Sequence, residues 1–287
     1  MKIYQILNEY FKKLDKVKTS SDGFFKDESD KERYETRFMY SFHKFQAAKY
    51  HFNNVAKFLN KDYEQEKEAN IQAELPYNKV KKQKFKIRTT SAIETSSNHY
   101  VYELSAFLEA LKSGIDFLAA VCEKYLKGIN LDSITPLIRL VKKGKSGYIL
   151  NPVKKHLNWL EYIRDYRHHL VHRKLFNIST LRKSSSIGDK QSKIYRPIVI
   201  PKNPPKYVPD TRKIRAFQGS YGIDLPYSES IFKIDDEIID YKIEYEIPED
   251  FIPIEKFMKN NLVSFEEFFA EIIKDLTSLS FNEILIS

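Results

Sequence analysis

The chain has 287 residues, of which 42% are hydrophobic, 30% are charged and 14% are aromatic. This composition is typical of a globular protein with a sizeable core and excludes an intrinsically disordered chain. No run of 18 apolar residues is present, which excludes a membrane-spanning helix, and the beginning Met1–Gln5 predicts no secretory signal.

The formal net charge of +9 favours a polyanionic partner such as RNA. Six cations and no anion occupy Lys79–Arg88, where a solvated loop or helix face is the simpler interpretation. Phosphate contacts are expected instead from cations near the motif described below. These are Lys142, Lys143, Arg173 and Lys174. The single cysteine, Cys122, is expected to be a buried small hydrophobe in a reducing compartment, so a cytoplasmic location is expected.

Apolar periodicity predicts a first helix from about Glu32 to Lys61. Aromatic and aliphatic residues recur there at spacings of three, four and seven, and Lys44 is among the polar residues between them. The segment Glu74–Asn98 contains Pro76 and the basic run, and it is interpreted as a loop or an extended hairpin.

Two more helices are predicted in the middle of the chain. His99–Leu126 has the most regular period of the protein, which places this helix in the core. Asn151 and Pro152 form a helix start signal. The apolar residues that follow predict a half-buried helix. They are Leu157, Leu160, Ile163, Tyr166 and Leu170.

The pattern then changes to short strands. Leu181–Ser192 is interpreted as a mobile loop, Tyr195–Pro201 and Ile238–Ile247 as strands, and Pro201–Pro209 as turns. Ser264–Leu279 is predicted to be a final helix that begins with a capping box.

These elements predict a mainly α fold, a helical bundle with a small β-rich insertion before the last helix. The predicted segments are an N-terminal helical region with a basic loop (1–96), a core that carries the motif (97–180), the insertion (181–250) and a returning C-terminal helix (251–287).

The chemistry of the chain is concentrated in the hexapeptide Arg-His-His-Leu-Val-His, Arg167–His172. An imidazole moves protons near neutral pH, and a guanidinium holds phosphate oxygens with a fork of N–H donors. Together these two groups suffice to cleave RNA without a metal when a 2′-hydroxyl is the nucleophile.

Helix geometry leaves an alternative open. Positions five apart point about 140° away from each other on an α-helix, so Arg167 and His172 do not share a face. His172, His168 and Arg164 lie within about 80° of arc. Arg164–His169 is an overlapping match with the same spacing, so Arg164, His168 and His169 are supporting candidates.

Other residues have simpler alternatives. His168 and His172 are spaced four apart, as in a zinc-protease helix, but His169 stands where that motif has its glutamate. No metal and no cofactor are therefore expected. Glu109 and Asp116 share a face of the His99–Leu126 helix, where each either orients the motif or makes a surface salt bridge.

The segments Tyr102–Leu118 and Tyr166–Arg173 together resemble the HEPN superfamily, especially the bacterial HEPN-domain ribonucleases of defence and toxin systems. The mark of that family is an arginine followed four to six positions later by a histidine, with apolar residues directly before the histidine. Arg167, His168, Leu170, Val171 and His172 fit this pattern. The likeness covers about Ser97–Leu175, and it extends to the final helix.

The resemblance implies a bundle that dimerises so that two motifs face each other across a cleft. It implies that His172 is the general acid or base, that Arg167 stabilises the scissile phosphate, and that the product is a 2′,3′-cyclic phosphate. The expected partners are RNA, a second copy of the chain and an antitoxin or defence-system protein. The alternative is a non-catalytic module of the same fold that binds RNA, a nucleotide or a protein. In either case the β-rich insertion is expected to select the substrate or to mask the cleft.

Overall fold

The computed structural model describes residues 2–17, 19, 23–79, 88–93, 97–126, 129–172, 182–187, 190–191, 197–204, 225, 227–234 and 237–279. Over these residues the fold is mainly α, as predicted. The helices are α1 (Lys2–Leu14), α2 (Glu28–Lys79), α3 (Ser97–Cys122), α4 (Thr135–Lys142), α5 (Leu150–Lys155), α6 (Leu157–His172) and α7 (Ile254–Ser278), with a 3-10 turn at Glu123–Tyr125. The strands are β1 (Arg88–Ile93), β2 (Arg182–Ile187), β3 (Lys190–Gln191), β4 (Val199–Pro201), β5 (Tyr227–Ile234), β6 (Glu237–Tyr245) and β7 (Phe251–Pro253).

The chain divides into two compact units, each built from segments that are distant in the sequence. The first comprises Met1–His51, Ser105–Val171 and Met258–Ser287. The second comprises Phe52–Leu104 and His172–Phe257. The four segments predicted from the sequence stay a prediction.

The first unit is a helical bundle with an aromatic core. Phe45 of α2 stacks on Phe265 of α7 at a centroid distance of 5.0 Å, and Phe265 stacks on Phe269 at 5.9 Å. Gly114 of α3 faces this stack, because a Cβ atom there would lie 3.0 Å from the Phe265 ring. The missing side chain therefore allows α2, α3 and α7 to pack closely.

Three tyrosine hydroxyls meet inside this bundle. The hydroxyl of Tyr10 is hydrogen-bonded to that of Tyr34 and lies 3.1 Å from that of Tyr125, and all three residues are buried. Burial raises the pKa of Tyr10 and Tyr34 well above the usual value and that of Tyr125 to about 12. The phenols therefore stay neutral, and they satisfy one another instead of water.

The second unit combines helix pairing with short antiparallel sheets. Tyr100 of α3 donates a hydrogen bond to Asp62 of α2 at 2.6 Å, and His99 stacks on Phe58 at 4.8 Å. Strands β1, β2 and β3 form one sheet, β4 pairs with β7, and β5 pairs with β6. The β-rich region before the last helix is thus observed, and β1 joins it from the segment before α3.

The interpretation of Leu181–Ser192 as a loop is wrong, and that of Glu74–Asn98 as a loop or an extended hairpin is wrong over its first six residues. Helix α2 continues to Lys79, beyond the predicted end at Lys61, and β1 lies in the rest of the predicted loop. The residues after Lys61 are rich in Glu, Gln, Lys and Ala, which favour a helix without leaving an apolar stripe. Part of Leu181–Ser192 forms β2 and β3, because the backbone of β2 pairs with β1, from Arg88↔Ile187 to Ile93↔Arg182.

Two helix boundaries also differ from the prediction. Helix α7 begins at Ile254, and Ser264 lies in its interior, so the capping box does not mark its start. Ile254, Phe257 and Met258 are buried, which means that the apolar stripe begins ten residues earlier. The helix predicted from Asn151 is divided by a turn at His156 into α5 and α6.

Strand predictions agree with the structure where it describes them. Strand β4 occupies the end of Tyr195–Pro201, and β6 covers most of Ile238–Ile247. Strand β5 and helices α1 and α4 were not predicted. Among the described residues, no helix combines the length and the apolar character needed to cross a membrane.

Because Tyr10 is central in the tyrosine cluster, we expect the effects of tyrosine-to-phenylalanine substitutions on the free energy of unfolding to be non-additive. Tyr10→Phe removes its hydrogen bonds to the hydroxyls of Tyr34 and Tyr125, so it should lower the free energy of unfolding by about 1–3 kcal/mol. The Tyr10→Phe, Tyr34→Phe, Tyr125→Phe triple variant leaves no such hydroxyl and should stay within about 1 kcal/mol of wild type. Urea denaturation measures both values. A triple variant much less stable than Tyr10→Phe would contradict the arrangement.

A second prediction concerns pH. Burial and the neighbouring Glu271 carboxylate raise the pKa of Asp275 to about 6. An acid whose pKa is higher in the folded state destabilises the fold when it is charged, so the penalty is absent below about pH 4 and complete above about pH 6. Because Asp275 is partly solvated, Asp275→Asn should stabilise the protein at pH 7 by only about 1 kcal/mol, and at pH 4 by nothing.

Thermal denaturation at both pH values measures the effect, and Asp132→Asn, at an exposed aspartate, is the control. Equal effects of Asp275→Asn at pH 4 and pH 7 would show that its charge is not the cause.

Candidate functional site

Helix α6 presents the motif because its other face is anchored in the first unit. Leu160, Ile163 and Tyr166 recur every three residues and are buried. Trp159 donates its indole N–H to the side-chain oxygen of the buried Asn261 at 3.0 Å, which ties α6 to α7. Arg167 directly follows the buried Tyr166 and reaches the edge of the bundle.

Arg167 makes a bidentate ion pair with Glu109 of α3. Its Nε donates to Oε2 at 2.7 Å, and its Nη2 donates to Oε1 at 3.3 Å. The side chains are 29% and 47% exposed, respectively. A pair of parallel hydrogen bonds fixes the plane of the guanidinium, which a single contact does not.

The charge of Glu109 is stabilised by this arrangement. Its pKa is lowered, chiefly by the hydrogen bond from Arg167, while partial burial opposes the shift. The charges of Arg167, Lys112 and Lys44 lower the pKa further. Glu109 is therefore ionised at neutral pH, and it serves as a fixed acceptor for Arg167 and not as a proton donor.

The pairing with Glu109 uses only one edge of the Arg167 guanidinium. A guanidinium has five N–H donors, and Glu109 accepts from Nε and Nη2. The Nη1 group makes no hydrogen bond to any residue in the described part of the chain. Two donors on a fixed, partly exposed cation fit the oxygen atoms of a phosphate.

Two other candidates have partners of their own. Asp116 accepts hydrogen bonds from Lys112 at 2.6 Å and from the backbone N–H of Ile134 at 3.0 Å. Arg164 donates to Asp165 at 3.0 Å and lies 3.4 Å from Glu161. The structure thus brings Glu109, and not Asp116, to Arg167.

The remaining candidates differ in what the structure describes. Lys142 is exposed and pairs with Glu161 at 2.7 Å, and both Lys143 and His168 are exposed. The backbones of His169 and His172 belong to α6, but their side chains lie outside the described residues. Arg173 and Lys174 lie outside them altogether.

Sequence reasoning missed two cations at the site, Lys44 and Lys112. Lys112 lies one turn after Glu109 on α3, so its position could have been found from helical spacing. Lys44 belongs to α2, and only the packing of α2 on α3 places it near Glu109. The sequence analysis placed Lys44 on the polar side of the first helix, which did not indicate that Glu109 lies near it.

Metal ligands do not cluster in the described part of the chain. No group of three or more His, Cys, Asp or Glu side chains there could hold a metal ion. That His168 and His172 hold no metal stays a prediction, because the side chain of His172 lies outside the described residues.

No family model, curated protein or solved structure matches this chain. The likeness to HEPN proteins therefore rests on the motif and its two helices, and it stays a prediction.

We expect the Arg167–Glu109 pair to be measurable through the carboxylate. Arg167→Ala removes the largest cause of the shift, so the pKa of Glu109 should rise toward the usual value of about 4.3. Because the folded-state pKa is depressed, the stability contributed by the pair is present at neutral pH and is lost as the carboxylate is protonated in acid. A carbon-detected NMR titration of the glutamate side chains measures the pKa. Arg164→Ala is the control, since its partners are Glu161 and Asp165. An unchanged Glu109 titration in Arg167→Ala would contradict the pairing.

Proposed function

We propose that this protein is a metal-independent endoribonuclease of the HEPN type that uses Arg167 and His172. The observation that carries the proposal is the hold of Glu109 on Arg167, which orients the guanidinium and leaves its Nη1 donors for a phosphate. The alternative is that Arg167 is one half of a surface ion pair, and the activity of Arg167→Ala separates the two.

The reaction needs one proton acceptor, one proton donor and a positive charge at the phosphate. His172, as a base, takes the proton of the 2′-hydroxyl, and the 2′-oxygen forms a bond to phosphorus. The bond to the 5′-oxygen breaks, and that oxygen receives a proton from the protonated imidazole of His172. The products are a 2′,3′-cyclic phosphate and a 5′-hydroxyl. A positioned imidazole contributes about 10²–10⁴-fold to such a rate.

Arg167 stabilises the charge that develops on the phosphate oxygens. Electrostatic stabilisation is largest where the cation is already oriented and needs no reorganisation during the reaction. The ion pair with Glu109 meets this requirement. It also partly offsets the charge of Arg167, which lowers the cost of holding a half-buried cation before the substrate arrives.

A homodimer is part of the proposal. On an ideal α-helix positions 167 and 172 point about 140° apart, and a two-fold partner, a helix kink or the length of the arginine side chain could each bring both groups to one phosphate. In the proposed dimer, one copy contributes Arg167 and the other contributes His172 to the same phosphate. Exposed Lys142 and Lys143 are proposed to guide the RNA, together with Arg173 and Lys174. A toxin or defence role with a neutralising partner protein is proposed on the resemblance alone.

We expect the purified protein to cleave RNA in the presence of EDTA and to produce 2′,3′-cyclic phosphate ends. His172→Ala should lower the rate by about 10²–10⁴-fold, because the positioned proton carrier is lost. Arg167→Ala should lower it by a similar factor or more. Gel analysis of end-labelled RNA, with mass spectrometry of the ends, measures both effects.

Two control variants sharpen this test. Arg139→Ala removes an exposed arginine of α4 and should leave the rate unchanged. Arg164→Ala distinguishes the overlapping match, since a loss of activity there but not in Arg167→Ala would move the site to Arg164. Protein that binds RNA but leaves it intact with or without added metal would show that the fold is a binding module.

A further inference from the structure

A second cation adjoins the Arg167–Glu109 pair from a different helix. The charge of Lys44, on α2, acts on the Glu109 carboxylate together with those of Arg167 and Lys112. The charges of side chains on three helices, α2, α3 and α6, thus act on a single carboxylate. Lys44 lies outside the part of the chain that resembles HEPN proteins.

Close packing of α2 on α3 places Lys44 there. Ser41, which is buried and lies one turn before Lys44, donates a hydrogen bond to the carbonyl oxygen of Gly114 at 2.8 Å. A Cβ atom at Gly114 would lie 3.3 Å from the Cβ atom of Lys44. The glycine lets the two backbones approach, so the core determines where the Cβ atom of Lys44 lies.

The charges of this cluster do not balance. Arg167 is paired with Glu109, and Lys112 is paired with Asp116. Three cations and two carboxylates leave one positive charge in excess, that of Lys44. Both oxygens of Glu109 already accept from Arg167. Within the described residues Lys44 itself makes no ion pair or hydrogen bond.

We propose that Lys44 binds a second phosphate of the nucleic-acid strand, adjacent to the phosphate held by Arg167. This inference rests on the proposed function, since it assigns Arg167 to a phosphate. An anionic strand supplies the negative charge that the cluster lacks, and a partly buried lysine gains more from that charge than a fully solvated one. The ligand is therefore a strand with consecutive phosphates and not a single phosphate group.

The test uses a single-stranded deoxyribo-oligonucleotide, which lacks the 2′-hydroxyl and cannot be cleaved by the proposed reaction. Fluorescence anisotropy measures its affinity as a function of salt concentration. We expect Lys44→Gln to weaken binding about three- to tenfold at low salt and to reduce the slope of log affinity against log salt by about 0.7. Lys44→Arg should restore the slope. Lys12→Gln, with the same charge change at an exposed lysine of α1, should bind as wild type does.

A measurement on the wild-type protein does not depend on the folding of a variant. Amine-reactive labelling followed by mass spectrometry compares Lys44 with Lys12, with and without the oligonucleotide. We expect the strand to protect Lys44 and not Lys12. Lys44 labelled equally in both conditions while the strand is bound would overturn the proposal, as would wild-type affinity and slope in Lys44→Gln.

The outcomes separate the two proposals. If wild type cleaves RNA but Lys44→Gln binds like wild type, the role of Lys44 is refuted and the ribonuclease proposal is kept. If the strand protects Lys44 but RNA is never cleaved, the phosphate site is supported and the ribonuclease proposal fails. A wild-type protein with no affinity for the strand at low salt refutes both.

Discussion

The paired hydrogen bonds between Arg167 and Glu109 determine what the candidate site can do. A long arginine side chain at the edge of a bundle samples many rotamers, and its five donors then face water in changing directions. Glu109 accepts from Nε and Nη2, at 2.7 Å and 3.3 Å, and so holds one edge of the guanidinium. The other edge is presented in a constant direction. This constraint is what suits Arg167 to the proposed role at a phosphate.

The rest of the first unit maintains that constraint. Helix α3 is buried over most of its length, which fixes the position of Glu109. Helix α6 is anchored by Tyr166 and by the bond from Trp159 to Asn261. Gly114 allows α2 to approach α3, and the charge of Lys44 acts on the same carboxylate. The site is therefore positioned by the core, although its working atoms lie at the surface.

The sequence predicted the mainly α class and the helices with an apolar stripe. Helix α3 was found nearly to its ends because its buried residues recur every three or four positions. The end of α2 was missed because polar helix formers leave no stripe, and β2 was missed because its Ser- and Lys-rich sequence forms a strand through backbone pairing with β1. The capping-box pattern at Ser264 wrongly predicted a helix start inside α7. A local pattern of this kind contains no information about tertiary burial, which begins at Ile254.

For the candidate site, local sequence gave the arginine and two alternative carboxylates on α3. It could not choose between Glu109 and Asp116, because both share a helix face and only packing decides which one meets α6. Local sequence could not predict Lys44 as a site residue for the same reason, because Lys44 lies 65 positions before Glu109.

The most direct measurement is NMR spectroscopy of the arginine side chains during addition of a deoxyribo-oligonucleotide. We expect the Nη signals of Arg167 to shift and sharpen as a phosphate binds, while its Nε signal stays at the position of a carboxylate-bonded group. The account is contradicted if the Arg167 signals do not change while the strand binds. It is also contradicted if the chemical shift of Nε moves to the value of a free guanidinium.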